Sequence, residues 1–115
     1  MDRHPAPLKS FATLILYSSS SPSATYRRLY EETITIITGT SEEQAVERAR
    51  ELAMTRETEF ENKFGETIRW SFERVVDISE IADTIADGAE IYTRHFHDYA
   101  AYCAIADSDA TEQET

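Results

Sequence analysis

The chain reads as an α+β domain: a ββαββ succession forming a four-stranded antiparallel sheet of order 2-1-3-4, with one main helix packed on one face. Three observations predict it. After the turn glycine Gly65, the residues Ile68, Trp70, Phe72 and Val76 alternate with Thr67, Arg69, Ser71, Glu73 and Asp77, the period of a half-buried strand. Thr33-Ile34-Thr35-Ile36-Ile37-Thr38 is dense in β-branched residues, whose stiff side chains suit a pleated surface. Between these strands, Ala45, Val46, Ala49, Leu52, Ala53 and Phe60 recur at helical spacing.

Taken in order, Met1 to Pro7 is expected to be a disordered leader, because Pro5 and Pro7 oppose regular structure. A first strand follows from about Lys9 to Ser18. Both of its parities are apolar (Phe11, Ile15 and Tyr17 against Ala12, Leu14 and Leu16), which suits a central position. Ser18 to Ser23 reads as a solvated, flexible loop. The second strand spans about Leu29 to Thr38 and ends at Gly39. Ser41 then opens the helix as the first member of a capping box with Gln44. Glu42 and Glu43 lie in the first turn, where the helix dipole favours them. The helix is expected to stop between Thr58 and Asn62.

The third strand is the alternating stretch, continued to about Ile78. An acidic connection, Glu80 to Gly88, carries the turn signal Asp87-Gly88. A fourth strand is predicted from Ala89 to His97, and a short helix capped by Asp98 from there to Ala106. Asp107 to Thr115 is polar enough to be a disordered tail. The domain limits are therefore 1–8, 9–106 and 107–115. Parity assigns Leu14, Leu16, Ile34, Ile36, Ile68, Trp70, Phe72 and Val76 to the helix side, subject to any bulge.

Composition narrows the possible functions. A chain of 115 residues supports one modest core. The net charge is −11, and acids crowd the C-terminal third. Such a surface repels nucleic-acid phosphates and favours a basic protein partner. No apolar run approaches the roughly 20 residues of a membrane span. Met1 to Pro7 lacks the apolar core of a secretory signal, and the single cysteine, Cys103, has no disulfide partner within the chain. These features indicate a cytoplasmic, reduced protein without membrane contact.

Four segments together resemble a small bacterial family, the domain-of-unknown-function family 4288. They are Tyr30-Glu31-Glu32-Thr33-Ile34, the Ser41-to-Leu52 helix with Glu42-Glu43-Gln44-Ala45, Gly65-Glu66-Thr67-Ile68-Arg69-Trp70, and Asp87-Gly88-Ala89-Glu90-Ile91-Tyr92-Thr93-Arg94. The resemblance covers roughly Phe11 to Phe96. It implies a compact bacterial domain with no recognised catalytic motif, and no activity to transfer.

Few residues here pattern as chemistry. His95 and His97 sit at i, i+2 on the expected fourth strand, a spacing some metal sites use. Further ligands are wanting, so no cofactor or metal is expected. Cys103 has no electropositive neighbour to activate it. Glu31 and Glu32 are candidate acid–base carboxylates, but neighbours on a strand point apart. The three glycines stand singly at turns rather than in a phosphate-cradling loop.

The sheet face away from the helix is the expected interaction surface, with Tyr17, Ile37, Arg69, Glu73, Val75, Tyr92 and Arg94 on it. Aromatic, aliphatic and arginine side chains of this kind favour partner binding. The function expected is a small acidic interaction protein binding a basic partner as an immunity- or antitoxin-type inhibitor. A non-catalytic small-ligand or metal-binding module is the alternative, and an enzyme using Glu31 or Glu32 ranks below it. A homodimer through the open face, or cover by the segment around Tyr99, Tyr102 and Ile105, would equally satisfy that surface.

Overall fold

The structure is a computed structural model in which residues 6–107 are described. Of the expected leader 1–8, residues 1–5, and of the expected tail 107–115, residues 108–115, lie outside the described residues. The elements are β1 (Lys9–Ser20), β2 (Tyr30–Gly39), α1 (Glu42–Thr55), β3 (Thr58–Glu61), β4 (Thr67–Glu80) and α2 (Tyr99–Ala106). The strands form one antiparallel sheet of order β2-β1-β4-β3.

The α+β class and the four-stranded antiparallel sheet thus hold. The predicted order 2-1-3-4 holds only in part. The two most apolar strands, β1 and β4, do lie together in the centre. Ala89 to His97, however, is not a strand. The edge position belongs to Thr58–Glu61, a short strand formed by residues expected to end the helix. The helix stops earlier because its chain turns into a hairpin: Asn62 Oδ1 accepts from the backbone N–H groups of Phe64 (3.0 Å) and Glu66 (2.9 Å). Gly65 takes the left-handed conformation that this turn needs, at φ 80°. Phe60 fits helical spacing from Ala53, yet it packs from β3, paired with Ile68.

At the start of α1, the Ser41 side chain accepts from the Gln44 N–H at 3.1 Å. Gln44 Oε1 reaches back one residue further than a capping box requires, accepting from the Thr40 N–H. Ala45, Ala49 and Ala53 are wholly buried. This small-residue stripe seats the helix on Phe11, Ile15, Tyr17 and Ile37, with Leu52, Trp70, Phe72, Val75 and Ile78 around them.

The parity assignment is therefore corrected. On β4 the helix side does carry Ile68, Trp70 and Phe72, but on β1 and β2 it carries odd residues, because Tyr17 pairs with Phe72 and Ile37 with Phe11. Register shifts between Leu14 and Ile15 and between Leu16 and Tyr17 leave Val76 and Glu73 as extra residues of β4. Each inserted residue reverses the alternation, so Val75 and Ile78, rather than Val76, face the helix.

The serine-rich stretch is also more ordered than expected. Ser18, Ser19 and Ser20 belong to β1, and Ser19 is fully buried. Its Oγ accepts from the Tyr26 hydroxyl and from the Leu29 N–H (2.9 Å), closing the loop between β1 and β2.

Candidate functional site

Tyr17, Ile37 and Val75, expected on the open face, lie on the helix side and belong to the core or pack against it. Arg69 and Glu73 do lie opposite the helix. Arg69 is exposed, paired with Ser20 and with Glu59. Glu73 accepts a 2.7 Å hydrogen bond from Ser18 Oγ.

The open face is partly roofed by the chain that follows β4. Ala12 and Leu14 are buried there although no helix covers them. The Ile81 N–H donates to the Ser10 carbonyl at 2.8 Å, and the Tyr92 hydroxyl donates to Asp77 Oδ2 at 2.8 Å. Asp77 is the cross-strand neighbour of Leu14, so the 81–92 segment passes over this face. Burial first, and then its bond to Asp77, raise the Tyr92 pKa above the ordinary phenol value, while Arg94 opposes the shift.

Cover by Tyr99, Tyr102 and Ile105, one of the alternatives for the open face, is not what the structure provides. The helix Tyr99–Ala106 is capped by Asp98 as predicted, with its carboxylate accepting from the Ala101 N–H at 3.0 Å. Yet α2 packs on no other helix or strand among the described residues. Its visible side-chain partner is the preceding Phe96, which stacks on Tyr102 at 4.8 Å. His95 and His97 are exposed in irregular chain rather than on a strand. Among the described residues, no three His, Cys, Asp or Glu side chains gather to hold a metal.

Two features stand out as sites. The first is the outer edge of β2. It is ten residues long, no further described strand pairs with it, and near its end the Arg48 guanidinium of α1 donates to the Thr38 carbonyl and hydroxyl. Ile34 and Ile36, on the face away from the helix, are 48% and 44% exposed, with Tyr30 also exposed nearby. The opposite edge differs: β3 has only four residues and carries Glu59 and Glu61, and short length and charge both discourage added pairing.

The second is a pocket of about 250 Å³ on the helix side, where the sheet extends past the end of α1. Tyr17, Glu31, Thr33, Arg56, Thr58 and Trp70 line it. The pairing register gathers them: Tyr17 lies opposite Glu31, and Trp70 opposite Thr58. Arg56 is the residue that caps the last turn of α1. The sequence pattern singles out Tyr17, Glu31 and Trp70 for other roles, and Thr33 and Thr58 only as strand and helix-end residues; nothing in it marks Arg56. Placing the helix end at Thr55 would have been the signal, since Arg56 then stands at the mouth of an uncovered sheet face. Glu31 and Glu32 fall on opposite faces of β2 and cannot act together on one substrate.

Fold and sites together define a non-membrane-helical α+β domain with one covering helix, a bare sheet edge and a small side pocket: no described helix is long and apolar enough to cross a membrane. The chain belongs to the domain-of-unknown-function family DUF4288, which matches residues 11–93. The match ends before α2. Comparison with curated proteins gives no match, and neither does comparison with solved structures.

Proposed function

We propose that this domain is a non-catalytic interaction protein that captures a protein partner by adding an extended segment of that partner to β2. The observation that carries this reading is the contrast between the two sheet edges. The β3 edge is short and acidic, whereas the β2 edge is long, β-branched and flanked by half-exposed Ile34 and Ile36. Main-chain hydrogen bonds along such an edge supply affinity, and alternate side chains supply specificity.

Charge defines the partner. Glu31 and Glu32 stand at the start of the strand, and the whole chain carries −11. A segment with aliphatic residues facing Ile34 and Ile36 and basic residues toward the glutamates is the complement. The acidic field speeds its association and makes it salt-sensitive. An inhibitor of a basic bacterial protein, of the immunity or antitoxin type, fits this chemistry, and so does a cytoplasmic setting.

The test compares the wild-type chain with a double variant, Ile34→Lys and Ile36→Lys, both on the exposed face. Affinity capture should retain a basic protein that is lost with the double variant and at high salt. Capture that survives both changes would sink the strand-addition reading. A concentration-dependent dimer abolished by the same variant would replace the foreign partner with a second copy of the chain.

A further inference from the structure

The side pocket opens on the helix face of the sheet and shares Glu31 with β2, and its lining is unusual in one respect. The Tyr17 side chain is only 5% exposed, yet its hydroxyl is buried without any hydrogen-bond partner. Buried polar atoms are ordinarily satisfied, and Tyr17 is among the residues that line the pocket, so its hydroxyl, closed off from solvent, is an unused donor that a ligand atom reaches once the groups covering it move aside. The rim carries opposite charges. Arg56 and Glu31 both stand close enough to act on the Tyr17 phenol, Arg56 favouring its ionisation and Glu31 opposing it, while burial dominates and keeps it protonated. Neither side chain forms an ion pair with the other or with any described residue.

These charges select the ligand. A simple anion would meet Arg56 but be repelled by Glu31, and a simple cation the reverse. A neutral molecule would leave both charges unanswered. A small molecule with a carboxylate and an ammonium group answers both. At about 250 Å³ the pocket is smaller than typical sites for drug-sized ligands, which run from about 300 Å³ upward. Trp70 supplies an aromatic wall, and Thr33 and Thr58 supply hydroxyls.

We propose that this pocket binds a free α-amino acid. Its carboxylate accepts hydrogen bonds from the Arg56 guanidinium and the Tyr17 hydroxyl, its ammonium group faces Glu31, and its side chain lies against Trp70. The site shares Glu31 with the β2 edge but otherwise uses the helix face of the sheet, and Arg56→Gln separates the two readings because Arg56 is no part of that edge.

Trp70 is the only tryptophan in the chain, so its fluorescence reports occupancy directly. The whole chain is titrated with each common L-amino acid, and then with the amide and N-acetyl derivative of whichever one responds. At least one free amino acid should give a saturable change, and both derivatives should lose it. Arg56→Gln and Glu31→Gln should each weaken binding about tenfold, the loss expected for one charge-assisted hydrogen bond. Tyr17→Phe should weaken binding while leaving the melting temperature of the free protein equal or higher, because it removes an unsatisfied buried hydroxyl. The proposal is overturned by no saturable response to any free amino acid. It is equally overturned by derivatives that bind as well as the parent, or by affinity unchanged in both the Arg56 and Glu31 variants.

Discussion

The Tyr92 hydroxyl donates a 2.8 Å hydrogen bond to Asp77 Oδ2, and this contact holds the chain that leaves β4 across the face of the sheet opposite the helix. Leu14, beside Asp77 in the register, is buried beneath it. A face that would otherwise be bare is thus partly closed by irregular chain, on a polar anchor rather than by a second helix.

Removing that anchor should loosen the segment without unfolding the sheet. Tyr92→Phe is expected to cost about 0.5–1.5 kcal/mol, the usual net worth of one hydrogen bond. Trypsin cleavage after Arg94 should become faster at a fixed pH, and an unchanged rate would show that the anchor holds nothing. The pH dependence has a definite sign. The Tyr92 pKa is raised by burial first and by Asp77 next. The docked state is therefore favoured below the ordinary phenol range near about 10 and loses that advantage as pH rises through the folded value.

Acid should act elsewhere, at Glu66. Its carboxylate accepts from Asn62 Nδ2 at 3.0 Å and from Thr25 Oγ1 at 3.4 Å. Asn62 first, then Ser23 and Thr25, hold its pKa below the usual glutamate range. A depressed folded pKa contributes stability above the unfolded value, lost as pH falls through the folded one. Urea unfolding at a series of pH values should show wild type above Glu66→Gln near neutrality, with the two curves converging in acid. Parallel curves would refute the assignment.

The core prediction separates two residues. Ile15 is fully buried under the alanine stripe of α1, so Ile15→Ala should cost about 2–5 kcal/mol. Trp70 packs against that core but only half-buried, at the wall of the pocket. Trp70→Ala should fall short of the roughly 3–5 kcal/mol of a fully buried tryptophan. Denaturant midpoints measure both, and a larger loss for Trp70 than for Ile15 would contradict this packing order.

Because α2 packs on no other described element, ending the chain after His97 should leave the melting temperature within about 2 °C of wild type, since surface changes away from packed features are worth at most about 0.5 kcal/mol. A fall of several degrees would mean that α2 is docked in solution.

Much of the scaffold was legible from pattern. Alternation picked out β4, the β-branched run picked out β2, and Ser41 marked the start of α1, because local propensity and capping act over a few residues. Asp87-Gly88 was legible for the same reason, and Gly88 does adopt φ 86°. The short strand β3 was not, since Phe60 satisfies helical and strand spacing alike and four residues carry too little periodicity to decide. The Ala89–His97 segment failed in the opposite sense: its residues suit a strand, but the edge beside β4 was already taken by β3.

For the candidate sites the division is sharper. The amino-acid sequence by itself determined the α+β class, the central pairing of the two most apolar strands, and the acidity that bears on any partner. Only the tertiary structure decided which side of each strand meets the helix. Alternation defines two faces on one strand but carries no information about how those faces match on the next. That match depends on register, and two extra residues in β4 reset it. The same register brought Tyr17, Glu31, Thr58 and Trp70 around one pocket and left Ile34 and Ile36 on the bare edge, an arrangement of residues distant in the chain that no local pattern encodes.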